Sequence, residues 1–338
     1  MKKIICLIMI LVMGTVFFTA CSTNAENEPE PSATAESSET EATPFESADF
    51  NIGVLQGPTG MGMSKLMKDA EENKYSNNYN VELFSAPTDV TGLIINGELD
   101  VAALPTNLAA TLYNKTGGNI QIIALNTLGV LYILEKGDTI HSIKDLNGKK
   151  ICSSGAAATP EFALNYVLKA NNVECETEYF ATHAELAAQA LAGNADIILI
   201  PEPQVSTIMS KSSDFRIAVD FNEAWNDATD NSSYMSMGCI AVRREFADKN
   251  GQALEQFIKD YAESVEFVNN DPSEGGKLIA QYGIVPSAEI AEKAIPNAKI
   301  VTVTGEEMKN KTDGFLKVLF DSDPKSIGGA LPNEDFYR

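Results

Sequence analysis

The feature that most constrains the fold of this chain is an internal repeat with an offset of 96 residues. Residues 84–115 align with residues 180–211 without a gap, and each copy reads as a strand, a helix, Gly-x-x-Asp, four apolar residues, Pro and a second helix. The identical pairs are Phe84/Phe180, Gly97/Gly193, Asp100/Asp196, Pro105/Pro201, Thr111/Thr207 and Lys115/Lys211. A shared strand-and-helix pattern would explain the matches without a true repeat, but either interpretation predicts two similar lobes.

The chain from about residue 50 onward alternates short apolar runs with helical stretches. Strand-like segments such as 51–55, 100–104 and 196–200 are each followed by a helical segment. This alternation predicts an α/β fold with mainly parallel sheets flanked by helices. After a strand near 237–242 the pattern becomes mostly helical.

The ends of the predicted strands indicate where a ligand would bind. In parallel α/β sheets, ligands lie beyond the carboxyl ends of the strands, where the two repeat copies place Thr106, Asn107 and Glu202. The loops 56–62 and 153–159 each join a strand to a helix, and a helix N-terminus suits a carboxylate, sulfonate or other anion. The full set of predicted ligand-binding residues, which includes the sole tryptophan as a cleft wall, is Gln56, Thr59, Gly60, Met61, Thr106, Asn107, Ser153, Ala156, Thr159, Glu202, Trp225 and Tyr234.

Each of these residues also has a plain structural explanation. The loop 56–62 lacks the Lys-Ser/Thr ending of a nucleotide P-loop and reads equally well as a tight turn. Thr159 reads as a helix cap, and Glu202 suits a helix start as any acid does. The aromatic residues and Met61 could belong to the core. The convergence of several strand ends is what favours ligand binding.

Charge and histidine content exclude several classes of function. The chain carries 47 acidic against 25 basic residues, a formal charge of −22. This argues against nucleic-acid binding, which requires clustered Lys and Arg. The two histidines, His141 and His183, stand apart, without a neighbouring nucleophile or metal-ligand pattern. We therefore expect no catalytic residue, no bound metal and no cofactor.

The N-terminus predicts export and a lipid anchor. Residues 1–20 begin with two lysines before an apolar run, as in a bacterial signal peptide. Cys21 follows Phe-Thr-Ala, an order that resembles a lipoprotein signal; the alternative is an incidental cysteine in a released protein. Residues 21–49 contain eight acids and no Lys or Arg, which predicts a disordered, extended tether. Without the two signal lysines and these eight acids, residues 50–338 carry −16. We expect a protein anchored at the extracytoplasmic face of the cell membrane.

Three cysteines follow the tether, namely Cys152, Cys175 and Cys239. Their number is odd and none forms a C-x-x-C pair. The preferred interpretation is that they are buried small hydrophobic residues, although sequence alone leaves one disulfide open.

Four sequence elements resemble solute-binding proteins of bacterial ABC importers, in the branch that takes nitrate, sulfonates, taurine and thiamine precursors. These elements are Gly57-Pro58-Thr59-Gly60, residues 104–110 (LPTNLAA), residues 142–150 (SIKDLNGKK) and Ile200-Pro201-Glu202-Pro203. The resemblance implies a two-lobed, type 2 periplasmic-binding-protein fold with a ligand cleft between the lobes. It places one lobe at 50–127 and 238–338 and the other at 128–237.

The same resemblance implies a function, which is to capture a small molecule by hinge closure and to deliver it to the permease subunits of an importer. A monomer is expected. The strand-end loops contain no Arg or Lys, so a heteroaromatic or amine-bearing ligand, with Glu202 as its counter-ion and Trp225 or Tyr234 stacking on it, is slightly favoured over a sulfonate. Two other functions stay open: a surface adhesion or scaffold lipoprotein, and an enzyme on the same fold.

Overall fold

A computed structural model describes residues 45–156 and 158–338 of the protein. The predicted signal peptide, the lipidation residue Cys21 and most of the tether lie outside the described residues. Within the described part, no helix is long and apolar enough to cross a membrane.

Within residues 45–156 and 158–338, the first of two sheets has six strands in the order β11-β4-β10-β3-β1-β2. Its strands are β1 (Asp49–Leu55), β2 (Asn78–Phe84), β3 (Val101–Pro105), β4 (Ile120–Thr127), β10 (Gly238–Arg243) and β11 (Ile300–Val303). The second sheet has five strands in the order β7-β6-β8-β5-β9. These strands are β5 (Leu131–Lys136), β6 (Lys150–Ser154), β7 (Glu176–Phe180), β8 (Ile197–Pro201) and β9 (Phe215–Asp220).

Helices connect these strands and cover the sheets. They are α1 (Pro58–Met61), α2 (Ser64–Glu71), α3 (Pro87–Asn96), α4 (Thr106–Lys115), α5 (Thr159–Ala170), α6 (His183–Leu191), α7 (Gln204–Lys211), α8 (Phe221–Ala228), α9 (Arg244–Lys249), α10 (Gly251–Asn270), α11 (Pro272–Gln281), α12 (Ala288–Ala294) and α13 (Gly305–Ser322). Local sequence sets several of these limits. For example, α3 starts at Pro87, whose fixed φ suits a first turn, and stops at Gly97, which adopts a left-handed φ of 84°.

The structure confirms the repeat as two copies of one strand-and-helix unit. The strands β3 and β8 are offset by 96 residues, and α3 and α6 start at positions with the same offset. The neighbours also correspond, because β2, β1, β3, β10 and β4 occupy the same relative places in the first sheet as β7, β6, β8, β5 and β9 in the second. The α/β fold class with two sheets flanked by helices is therefore confirmed.

Both sheets of the described chain are mixed rather than purely parallel, although four of six strands in the first and four of five in the second run in one direction. In the first sheet β1 pairs in parallel with β2 and β3, but β10 is antiparallel to both of its neighbours. In the second sheet β5 is likewise antiparallel to β8 and β9. Both β5 and β10 are the strands by which the chain enters one sheet from the other. Such a strand starts at the edge where the others end, so it runs in the opposite direction.

Buried apolar residues join these layers into continuous cores. One cluster includes Leu104 and Leu125 of the first sheet together with Leu131 and Ile151 of the second. A second cluster packs the other face of the first sheet against α2 and α10. Cys152 and Cys239 are buried and Cys175 is half-buried, and all three are free thiols. Their packing agrees with the interpretation as small hydrophobic residues.

Candidate functional site

A cleft of about 790 Å³ lies where the βα strands of both sheets end. Residues after β1, β2 and β3 line it from the first sheet, and residues after β6, β7 and β8 line it from the second. Five of the twelve predicted site residues lie on its wall: Gln56, Thr59, Asn107, Thr159 and Glu202. The structure thus brings together the strand ends that the repeat indicated.

Five helices of eight or more residues begin at this cleft. A first-turn residue of each lines the cavity, namely Pro87 of α3, Asn107 of α4, Thr159 of α5, His183 of α6 and Gln204 of α7. The first N–H groups of a helix have no intrahelical acceptor, and the helix dipole places partial positive charge there. The cleft can therefore attract negative charge without a cationic side chain. No Lys or Arg is among the cavity residues of the described chain.

The floor of the cleft has polar groups that lack partners. Thr127 lines the cavity, and its hydroxyl has no hydrogen-bond partner within the described structure. The neighbouring Asn126 donates from Nδ2 to the Thr59 carbonyl at 3.0 Å, while its Oδ1 is unpartnered. Gly238 lies close to both Asn126 and Thr59, because a Cβ at this position would be 2.5 Å from Asn126 Oδ1 and 2.6 Å from Thr59 Cγ2. Buried polar atoms of this kind cost free energy unless water or a ligand satisfies them.

Glu202 is the carboxylate of the cleft wall and is 1% exposed. Ser206 of α7 donates to it from its backbone N–H at 3.1 Å and from its hydroxyl at 3.0 Å. Asn297 donates a third hydrogen bond at 3.2 Å. Burial nevertheless raises the pKa of Glu202 to about 7, because the protein interior disfavours its charged form. This carboxyl is therefore a weak counter-ion at neutral pH.

His183 is a cleft residue that the sequence analysis missed. Its Nδ1 lies 2.5 Å from Ser154 Oγ, and the surrounding protein lowers the pKa of the imidazole. The 96-residue offset aligns His183 with Pro87, which also lines the cleft. The ends of β2 and β7 could therefore have been identified from the repeat, because each copy begins at one of them. The loop 283–286 was missed as well, because it follows no repeat strand.

Four predicted residues of the strand-end loops do not reach the cavity. Gly60 and Met61 are buried, and a Cβ at Gly60 would lie 2.4 Å from the Leu55 carbonyl. Thr106 is also buried, and its hydroxyl approaches the Cys239 thiol, whose pKa is raised to about 12 by burial. Ala156 is exposed on its loop but is not among the lining residues.

Ser153 does not line the cavity, whereas its neighbour Ser154 contacts a residue that does. Ser153 is fully buried and its hydroxyl donates to the Leu199 carbonyl at 3.4 Å. Side chains alternate between the two faces of a strand, so Ser154 is the residue that contacts His183.

The two predicted aromatic residues, Trp225 and Tyr234, also lie outside the cavity lining. Trp225 is fully buried, with its ring centroid 5.2 Å from that of Tyr166 and 5.7 Å from that of Phe315, and its Nε1 donates to Ser233 Oγ at 3.0 Å. Tyr234 donates to Glu307 at 2.6 Å on the surface. The polar residues around Trp225 in the sequence belong to the exposed face of an amphipathic helix, which is why the local composition was misleading.

Comparison with known proteins identifies the family. Residues 63–294 match the family model described as menaquinone biosynthesis (VitK2_biosynth), and the chain belongs to this family. No curated protein matches the sequence.

Solved structures with the same two-lobed fold come from ABC transport systems, so the resemblance inferred from sequence is confirmed. An ABC transporter from Parabacteroides distasonis is 26% identical with a TM-score of 0.73, over 86% of this chain and 98% of that one. The periplasmic aliphatic sulphonate-binding protein SsuA from Escherichia coli is 16% identical with a TM-score of 0.66, over 83% and 90%. The periplasmic nitrate-binding protein NrtA from Synechocystis is 13% identical with a TM-score of 0.55, over 83% and 84%.

Proposed function

We propose that this protein is the extracytoplasmic solute-binding component of an ABC importer, which captures a small organic molecule in the cleft and delivers it to the permease. The observation that carries the proposal is the convergence of strand ends from both sheets on one cavity of about 790 Å³. A ligand there contacts both halves of the molecule, so it stabilises a closed form in proportion to its extra contacts with that form. The similarity to transport proteins of the same fold supports this role.

The lining supports a singly charged anion with an apolar body, such as an alkyl carboxylate or sulfonate. Most of the cavity residues are apolar, and the five helix N-termini provide partial positive charge. A doubly charged anion usually recruits Arg or Lys, and neither lines the cavity in the described residues. Thr127 lines the cavity, and its buried, unpartnered hydroxyl is the donor that we expect a ligand oxygen to satisfy.

The amine-bearing or heteroaromatic ligand favoured by the sequence has less support from the structure. Trp225 and Tyr234, which were predicted to stack on such a ligand, lie outside the cavity. Glu202, which was predicted to be the counter-ion, already accepts three hydrogen bonds, and its raised pKa weakens its negative charge at neutral pH. We therefore assign the anionic class.

Calorimetry with matched compounds tests this assignment. Hexanoate and hexanesulfonate have six carbon atoms, as hexylamine does, but carry the opposite charge, and an aminopyrimidine represents the heteroaromatic class. We expect saturable binding of at least one of the two anions, with compaction in small-angle X-ray scattering. Tight binding of the amine or the pyrimidine, with neither anion binding, would overturn the assignment.

An enzyme of the same fold is the second candidate, because the family description names menaquinone biosynthesis. The contact between Ser154 and His183 at the cleft, and the protonatable Glu202 after β8 of the same sheet, are the groups that such a reaction could use. Mass spectrometry distinguishes the two functions. A carrier returns each bound compound unchanged, whereas an enzyme changes its mass with turnover. For a scaffold lipoprotein, no compound would cause compaction.

Export and anchoring belong to the same proposal. Residues 1–20 would be removed, Cys21 would be lipidated, residues 21–49 would act as the tether, and the mature protein would be a monomer. Metabolic labelling with an alkyne fatty acid should label the wild-type protein, and Cys21→Ser should lose the label and leave the membrane fraction. Labelling that persists in Cys21→Ser would contradict the anchor. The proposed lobe limits, 50–127 with 238–338 and 128–237, can be tested by expressing the second segment alone and measuring its cooperative unfolding.

A further inference from the structure

The contact between His183 and Ser154 joins two neighbouring strand ends of the second sheet. Ser154 is the last residue of β6, and it pairs in parallel register with Phe180, three residues before His183. Ser154 is 1% exposed, whereas His183 is exposed at the cavity wall. The distance of 2.5 Å between Ser154 Oγ and His183 Nδ1 is a short hydrogen bond.

The burial of Ser154 determines which way this hydrogen bond runs. A buried hydroxyl must donate its proton to an acceptor, since an unpaired donor costs free energy. Among the residues that the structure describes, His183 Nδ1 is the acceptor in contact with Ser154 Oγ. The Ser154 hydroxyl therefore donates to Nδ1, and a neutral imidazole then carries its proton on Nε2.

Two features keep this imidazole neutral. His183 is the first residue of α6, where the helix dipole opposes a positive charge. The surrounding protein also lowers the pKa of the ring. The Nε2 atom has no hydrogen-bond partner among the described residues, and the ring lines the cleft. The imidazole thus presents one N–H donor to the cavity from the second-sheet wall.

We propose that His183 is a specificity-determining residue that donates its Nε2 proton to an uncharged oxygen acceptor of the ligand, and that Ser154 is the positioning residue that fixes this tautomer. The inference rests on the proposed binding function and names the ligand more closely. We place the anionic group near Thr127 and a carbonyl oxygen further along the ligand at His183, since both residues line the cavity. Oxo-carboxylates and oxo-sulfonates have this pattern.

The tautomer can be measured without any ligand. The chain has two histidines, so a long-range nitrogen–proton spectrum of the full chain labelled with ¹⁵N-histidine shows two rings, and the exposed His141 is the internal reference. We expect His183 to carry its proton on Nε2. Ser154→Ala should convert His183 to a mixture of tautomers and leave His141 unchanged. A proton on Nδ1 in the wild-type protein would overturn the proposal.

The ligand contact is tested with pairs of acids that differ only by a ketone. The probes are 4-oxopentanoate, 5-oxohexanoate and 6-oxoheptanoate, each compared with the unsubstituted acid of the same length, because the series places the carbonyl at increasing distances from the carboxylate. We expect one oxo-acid to bind about 3- to 10-fold more tightly than its partner, as one neutral hydrogen bond allows.

Variants assign this preference to His183. His183→Phe should abolish the preference, so that in this variant each oxo-acid binds no more tightly than the unsubstituted acid of the same length, and His183→Gln, whose amide can reach the same place, should restore part of it. His141→Ala is the matched control and should behave as wild type. If every acid binds and no oxo-acid is preferred, His183 has no such role. If no acid binds, the proposed ligand class is wrong, and an Nε2 proton that depends on Ser154 would still support the positioning step.

Discussion

The side-chain amide of Asn297 donates a hydrogen bond of 3.2 Å to Oε1 of Glu202. Glu202 follows β8 of the second sheet, whereas Asn297 ends a short 3₁₀ turn that leads into β11 of the first. The backbone carbonyl of Asn297 also accepts a hydrogen bond of 2.8 Å from the Tyr132 hydroxyl. The two halves of the molecule are therefore linked beside the cleft by side-chain hydrogen bonds.

This link should contribute to closure. Asn297→Ala removes the hydrogen bond to Glu202 and leaves the backbone contact with Tyr132 in place. Because a typical hydrogen bond contributes about 1 kcal/mol, we expect the closed-to-open ratio to fall about 5-fold. Small-angle X-ray scattering of the ligand-free protein, or distances between spin labels on the two halves, would show the expansion.

A matched control is available for the Asn297 experiment. Asn269 donates from Nδ2 to the Ile300 carbonyl at 2.9 Å, and both residues belong to the half that contains the first sheet. Asn269→Ala therefore removes an equivalent hydrogen bond without affecting the link between the halves. Equal expansion in the two variants would show that the Asn297 contact has no special part in closure.

Glu202 should make stability depend on pH. Its folded-state pKa is raised from 4.5 to about 7, so the folded protein holds this proton more tightly than the unfolded chain does. The stabilisation is fully present below pH 4.5 and is lost as pH rises through 7, by up to about 3 kcal/mol. Glu202→Gln cannot ionise and should lack this component. Urea unfolding at pH 5 and pH 8 measures this contribution as the difference in the free energy of unfolding between variant and wild type. If that difference is the same at both pH values, Glu202 makes no such contribution.

The sequence predicted the βα strand ends well because each end follows from a local pattern. A strand, a turn and a helix start are visible in neighbouring residues, and the repeat then relates Asn107 to Pro203 and Pro87 to His183. The direction in which each side chain points was harder to predict. The choice between Ser153 and Ser154 depends on which face of β6 meets the cleft. Trp225 is buried because α5 and α13 pack against α8. Long-range packing of this kind leaves no local signal.

Gly238 should be the glycine most sensitive to substitution at the cleft floor. In Gly238→Ala the new methyl group meets Asn126 Oδ1, Thr59 Cγ2 and, at 3.1 Å, Thr127 Cβ. We expect a loss of about 1–3 kcal/mol in the free energy of unfolding, as for other overpacked sites. Gly92→Ala is the control, since nothing lies within 4 Å of its Cβ and it sits inside α3. Its helix propensity should stabilise the protein by about 0.5–1 kcal/mol. Similar effects from both variants in chemical denaturation would contradict the crowding.

The hydroxyl of Thr127 should matter for binding and not for stability. Thr127→Val keeps the shape of the side chain and removes an oxygen that has no partner in the described structure, so the free energy of unfolding should stay unchanged or rise. A hydrogen bond to a charged group contributes about 1.5–3 kcal/mol, so affinity for the hexanoate or hexanesulfonate that binds should fall at least about 10-fold. Thr312→Val is the matched control, because Thr312 is equally buried and unpartnered but lies on α13, outside the cavity lining. Calorimetry on both variants separates the two effects, and an unchanged affinity in Thr127→Val would remove the cleft floor as the place where the anion binds.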